Sequence, residues 1–264
     1  MRTSEKLYIV KIGGNIIDDE EILQTFLKDF AQLKGKKILI HGGGKLATKL
    51  AKLLNIPQVL IEGRRITDAE TLKVITMVYA GHINKRIVAT LNANGCTSMG
   101  LTGTDGNFIL AKKRPIKTID YGFVGDVEKV NPTLLLSLFE QHLTPVIAPL
   151  TADNKGQLLN TNADTIANEV AKAMAKDYEV HLLYTFEKSG VLTDTNDENS
   201  VIPSLLYHQY QQLKLEKKIF AGMIPKLDNA FAALVAGVKT VRIGDAKDLN
   251  QLVNGTNGTI LSYE

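Results

Sequence analysis

An α/β fold with a mainly parallel central sheet, helices on both faces and two lobes is what this sequence predicts. Three observations predict it. Short apolar runs rich in Ile, Leu and Val alternate with amphipathic stretches of helical spacing, the pattern of a doubly covered parallel sheet. Two of the apolar runs stop at glycines, in Lys11-Ile-Gly-Gly14 and His41-Gly-Gly-Gly44, where a strand turns into a helix. The pattern then restarts after Lys176-Asp177 with Val180-His-Leu-Leu-Tyr-Thr-Phe186, which divides the chain into an N-terminal lobe, 1–176, and a C-terminal lobe, 177–264.

The elements follow in order. Residues 7–12 read as a strand, and Asp18-Asp-Glu-Glu21 opens a helix to about Lys34, its acids suiting the positive helix start. Ile38-Leu-Ile40 is the next strand, and Leu46, Leu50, Leu53 and Leu54 carry a helix. Asn55-Ile-Pro57 breaks the pattern before Val59-Leu-Ile61. Asp68 then caps one long helix carrying Leu72, Ile75, Met77, Val78, Ile83, Ile87, Val88 and Leu91, which stops at Asn94-Gly95. Strands are expected at 108–110, 123–127 and 144–148, with a short helix from Asn131-Pro132 to Leu138. A helix with Ile166, Val170 and Met174 on one face closes the first lobe. The second holds the polar loop 194–200, a helix near 205–217, an alanine-rich helix to Gly237, a strand at 240–243, a helix near 246–253 and a last strand at 259–261.

Composition excludes several classes. Among 264 residues a formal charge of +3, with scattered basic residues, argues for neither nucleic acid nor a membrane surface. Cys96 is the single cysteine and the five histidines are dispersed, so neither a disulfide nor a metal centre is expected; His41 is set apart by bordering the glycine turn. No apolar run approaches membrane-spanning length and the first residues do not read as a signal peptide, so a cytoplasmic protein is the expectation.

A strand, a glycine turn and a helix in that order can crowd backbone N–H groups around an anion, with the helix start adding partial positive charge. An ordinary tight turn is the alternative for a lone Gly-Gly-Gly. No Gly-x-x-x-x-Gly-Lys-Ser/Thr loop, dinucleotide Gly-x-Gly-x-x-Gly or protein-kinase catalytic loop is present, so any phosphate is handled by the two glycine turns and lysines.

Five motifs, Lys11-Ile-Gly-Gly14, His41-Gly-Gly-Gly44, Glu62-Gly-Arg-Arg-Ile-Thr-Asp68, Asn160-Thr-Asn-Ala-Asp164 and Gly222-Met-Ile-Pro-Lys226, occur in the order found in the amino-acid kinase family, which the chain resembles along essentially its whole length. Gly100-Leu-Thr-Gly-Thr-Asp-Gly106 and Phe123-Val-Gly-Asp-Val127 resemble the branch acting on N-acylated glutamate. The resemblance implies a three-layer αβα sandwich and an enzyme that phosphorylates the γ-carboxylate of N-acetyl-L-glutamate with ATP, the second step of arginine biosynthesis. It implies Mg2+ held mainly by the nucleotide phosphates, acylglutamate binding and dimerisation in the first lobe, and ATP binding in the second. The chemistry fits: a glutamate carboxylate, with a pKa of ~4.3, is ionised at neutral pH, so the nucleophile needs no general base, only positioning and charge stabilisation.

By the same resemblance Lys11 meets the transferring phosphoryl group and Lys226 the leaving side, while Asp164 holds both lysines in place as organiser. Lys226 lies in the first turn of a helix begun by Pro225, against the helix dipole unless an anion is bound. Gly13, Gly14, Gly43 and Gly44 are the expected N–H donors to phosphate, and Gly43 and Gly44 also border the acceptor. Arg65 is expected to fork its α-carboxylate, and Asn160 and Asn162 to hydrogen-bond it.

Two features depart from the family pattern. Tyr184-Thr-Phe-Glu-Lys-Ser-Gly190 is longer than the usual turn and lacks its aspartate, so no residue is assigned to adenosine. Arg64 stands where an uncharged residue is common, which raises N-succinylglutamate as an alternative acceptor through a pair with the succinyl carboxylate. A homodimer insensitive to arginine is expected, because about six residues precede the first strand, too few for the extra helix of arginine-inhibited relatives. The competing readings are a kinase for another carboxylate, carbamate or nucleotide, and a catalytically silent sensor of nucleotide or acylglutamate. Lys11, Asp164 and Lys226 together argue against the sensor, since binding alone does not need all three.

Overall fold

A computed structural model of the chain describes residues 5–61, 64–194, 197–216, 218–219 and 223–263. Eight strands form the central sheet, in the spatial order Ser204–Leu206, Thr259–Ser262, Thr240–Asp245, Glu179–Phe186, Lys6–Ile12, Lys36–His41, Thr144–Ala148 and Ser98–Thr102. All neighbours are parallel except Thr240–Asp245 and Thr259–Ser262. Alternating side chains feed two cores, as the two-residue period of a strand demands. Ile9, Ile38, Ile40 and Leu182 pack on one face with Ile166 and Val170 of helix Ala163–Met174 and Leu227 and Phe231 of helix Ile224–Val235. Val10, Leu39 and Leu183 pack on the other with Phe26 of helix Glu20–Gln32 and with Ile75 and Ile87. The layers are thus helix, sheet, helix, as expected.

The first strand sits in the middle of that sheet, with residues of the second lobe on one side and of the first on the other: Lys11 lies opposite Tyr184 and opposite Ile40. Both cores likewise draw on residues either side of 176.

Four short strands, Leu158–Thr161, Val124–Val130, Ile109–Lys113 and Leu150–Ala152, close into a small barrel that the sequence reading did not separate from the sheet. It is tightly packed around Gly125. A Cβ on Gly125 would stand 2.7 Å from Thr161 Oγ1, and the buried hydroxyls of Thr151 and Thr161 hydrogen-bond at 2.7 Å.

The long helix after Asp68 forms, with the Asp68 carboxylate accepting from the Thr71 N–H at 2.7 Å and Gly95 beyond its end at φ +77°. It is not uniform. Ala69–Thr76 and Asn84–Ala93 are α-helical, but Met77–Ile83 between them is a π-helix. Met77, one of the apolar residues of this stretch, is exposed because it lies across the helix from Leu72 and Ile75, while Tyr79 is buried. At the first glycine turn a five-residue helix, Gly14–Asp18, precedes the main one, and Asp19 rather than Asp18 caps it, accepting from the Ile22 N–H at 3.1 Å. Strand Ser204–Leu206 lies where the reading placed a helix start; that helix is Tyr207–Leu215.

Candidate active site

The two glycine turns leave the sheet side by side, because Ile12 and His41 are partners across adjacent parallel strands. Carboxyl ends of parallel strands are where an open α/β sheet leaves a crevice. Strand Glu179–Phe186 fixes the first turn: the Gly13 N–H donates to Thr185 O at 3.0 Å, and Thr185 Oγ1 donates to Lys11 O at 3.1 Å.

Lys11 therefore projects from a rigid strand end, and it meets Asp164. The Lys11 Nζ to Asp164 Oδ1 distance is 2.8 Å, and Lys226 Nζ stands 3.5 Å from Asp164 Oδ2. Asp164 is placed by its helix start, where Asn162 Oδ1 accepts from the N–H groups of Asp164 and Thr165 at 2.8 and 3.1 Å. Tyr184, opposite Lys11 on the next strand, donates its hydroxyl to Asp164 O at 3.3 Å. Burial works to raise the Asp164 pKa, but the Lys11 and Lys226 ammonium groups outweigh it and hold the carboxyl below its usual range. Burial lowers the pKa of Lys226, with Asp164 opposing the shift. Lys226 also sits 5.3 Å from the centre of the Phe186 ring, a cation–π contact. Two cations on one carboxylate leave one net positive charge facing the crevice. As a helix-start lysine in the first turn after Met223, Lys226 is where the sequence put it; Gly222 of its motif lies outside the described residues.

Of the four expected N–H donors, only Gly43 has a backbone reserved for glycine, at φ +150°. A Cβ there would also press into Ile83 and come within 3.0 Å of Tyr79, both on the π-helical segment. Gly13 has an ordinary φ of −74°, and a Cβ on Gly14 would meet open space. Gly44 begins helix Gly44–Leu53, whose first N–H groups have no intrahelical acceptor.

Arg65 is buried against that helix start. Its Nη2 donates to Gly44 O and Thr48 Oγ1, both at 2.8 Å, and its Nη1 to Gln58 Oε1. Arg64 next to it is exposed, and Glu62 and Gly63 lie outside the described residues. Asn160 Nδ2 donates to Thr67 Oγ1 at 3.0 Å, tying the barrel to the chain that carries Arg65. The structure thus assembles two groups, Lys11, Asp164 and Lys226 in one and Gly44 and Arg65 in the other, at the ends of neighbouring strands.

A sequence profile described as the amino acid kinase family matches residues 6–245. The chain belongs to the amino acid kinase family. Among curated family members, an acetylglutamate kinase of Cytophaga hutchinsonii is 56% identical over 251 residues, covering 95% of each chain. An acetylglutamate kinase of Bacteroides fragilis is 54% identical over 92% of this chain and 93% of its own. A crystal structure of a Streptococcus mutans protein superposes with a TM-score of 0.80 at 27% identity, covering 98% of this chain and 99% of that one. The carbamate kinase of Giardia lamblia shares the fold, with a TM-score of 0.70 at 14% identity over the whole of both chains.

Several residues of the site escaped the sequence reading. Tyr184 and Phe186 read simply as strand residues, and Thr48 and Gln58 carried no signal. Asn84 did carry one, as a fully buried amide on the apolar face of a helix beside Ile83 and Ile87.

Proposed function

We propose that this member of the amino acid kinase family transfers the γ-phosphoryl group of ATP to the γ-carboxylate of N-acetyl-L-glutamate, in arginine biosynthesis. Identities above 50% to acetylglutamate kinases over most of the chain support this reading. The preassembled Lys11–Asp164–Lys226 cluster is the observation that carries the chemistry.

The acceptor carboxylate attacks as an anion, so the barrier lies in bringing two anions together. Lys11 bridges the attacking and transferring groups, and Lys226 neutralises charge on the leaving phosphate. Asp164, held ionised by both, spaces them and takes no proton. N–H groups of Gly14, Gly43 and Gly44 complete the phosphate cradle, and Gly43 and Gly44 also border the acceptor, whereas the Gly13 N–H, expected among the donors, is spent on Thr185 O and only fixes the turn. Arg65 takes the α-carboxylate by exchanging bonds now made to Gly44, Thr48 and Gln58, and Asn160 and Asn162 hold the rest of the acceptor.

No group of three His, Cys, Asp or Glu side chains able to hold a metal occurs among the described residues, and Asp164 is taken by two lysines. On this reading Mg2+ would come bound to the nucleotide phosphates and would supply charge neutralisation there. We assign acylglutamate binding and dimerisation to residues 1–176 and ATP binding to 177–264. The edge strand Ser98–Thr102, with Met99 exposed on it and Met77 exposed on the π-helical segment that contacts it, supports a homodimer, to be read by light scattering. No described helix is long and apolar enough to cross a membrane, and dependence on ATP suits the cytoplasm.

A coupled ADP-release assay with N-acetylglutamate, N-succinylglutamate, glutamate, aspartate and UMP tests the reading. Highest kcat/KM with N-acetylglutamate is expected, and turnover of none of the five would overturn it.

A further inference from the structure

Beneath the glycine turn lies a polar chain that the transfer mechanism does not use. His41 is fully buried. Its Nδ1 is 2.8 Å from Gly42 O, and its Nε2 is 3.1 Å from Asn84 Nδ2. Asn84 follows directly on the π-helical segment, is itself buried, and donates from the same Nδ2 to Val146 O at 3.0 Å.

The proton positions follow by elimination. A carboxamide nitrogen has two hydrogens and no acceptor capacity. Asn84 Nδ2 spends one on Val146 O and points the other at His41, so His41 Nε2 must be the accepting, unprotonated nitrogen. The imidazole proton then sits on Nδ1 and donates to Gly42 O. That bond fixes the next peptide unit, because in a planar trans peptide the carbonyl and the following N–H point in opposite directions. With Gly42 C=O turned down to the buried imidazole, the Gly43 N–H is turned away from it, toward the open side of the turn. Among the described residues no acceptor engages that N–H. Burial also lowers the His41 pKa to about 4, which keeps the ring neutral and the relay intact at neutral pH.

We propose that Asn84 and His41 are positioning residues: Asn84 selects the Nδ1–H tautomer of His41, and His41 thereby aims the Gly43 N–H at the anion bound in the glycine turn. Aiming at an anion rests on the phosphoryl-transfer reading, whereas the tautomer does not. Two experiments separate them. A long-range 1H–15N spectrum of the full chain labelled at histidine should show His41 Nδ1 as pyrrole-type and Nε2 as pyridine-type. The reverse assignment would overturn the relay even in a fully active enzyme.

Kinetics then test the aim, with N-acetylglutamate and ATP as substrates. His41→Leu should lower kcat about tenfold to a hundredfold, toward the cost of losing one preorganised donor. His41→Asn, whose amide N–H can stand in for Nδ1–H, should recover at least tenfold of that loss. Equal kcat in the Leu and Asn variants, both folded by circular dichroism, would refute the aiming role. If His41→Leu does not fold, the spectrum of the unaltered protein still decides the tautomer. A correct tautomer in a protein without kinase activity would sink the functional reading and leave the relay standing.

Discussion

Acidification should destabilise this protein through His41 before it reaches Asp164. The imidazole titrates at about 4 in the folded protein and at 6.5 when exposed. Between those values the unfolded chain binds more protons than the folded one, so stability falls as pH falls. At pH 5.25 the difference is ~0.9 proton, a slope of about 1.2 kcal/mol per pH unit. Summed from pH 7 to 4 the loss is about 3 kcal/mol, and the dependence flattens below 4. Urea unfolding followed by circular dichroism, suited to a chain without tryptophan, gives the free energy at each pH. His181 has a lowered pKa too, through burial, so the quantity to compare is the difference between the unaltered protein and His41→Asn. The variant should lose most of one proton of slope between pH 4 and 6.5. Parallel curves, or a His41 resonance titrating near 6.5 in the folded protein, would refute the assignment of a buried neutral ring.

Other outcomes follow from the same geometry. Lys11→Ala and Lys226→Ala should each reduce kcat by roughly 10²–10³ in the ADP-release assay, and near-normal turnover in both would remove the charge cluster from the mechanism. Asp164→Asn leaves the buried Lys11 and half-buried Lys226 ammonium groups without their counter-ion and should cost about 3 kcal/mol in urea unfolding, with part restored by saturating ATP. Its carboxylate has a lowered pKa, so its stabilisation is present above pH 3.8 and is lost only below it, outside the His41 window. Lys37→Met removes two buried 2.7 Å bonds from Nζ to Ala31 O and Leu33 O at the end of helix Glu20–Gln32, and should cost about 2 kcal/mol with kcat unchanged. Gly43→Ala meets both the φ of +150° and Ile83, and should raise the KM for the acceptor at least tenfold.

The parts legible in the sequence were those with a local cause. Strand ends at glycine, the cap at Asp68, and a lysine after Pro225 each declare themselves within a few residues. The barrel did not, because Leu150–Ala152 is three residues long and directly follows the sheet strand Thr144–Ala148, so hydrophobicity alone cannot divide them. The π-helix did not, since one wide turn shifts the apolar stripe by less than the tolerance of a periodicity argument. Within the site the sequence named the charged residues but not their supports. Tyr184 and Phe186 touch the site through register and packing, which only the sheet order reveals.

The central place of the first strand also has a consequence in time. Lys6–Ile12 can pair with Lys36–His41 soon after synthesis, but its other edge must wait for Glu179–Phe186. At about 5–20 residues per second that wait lasts roughly ten to thirty seconds. Throughout it the nascent chain presents Leu7, Ile9 and Val10 along an unpaired, apolar edge, the kind of surface on which strands of other chains dock. The residues at the heart of the finished sheet are therefore its greatest hazard during synthesis, and arrival of the second lobe is what retires it.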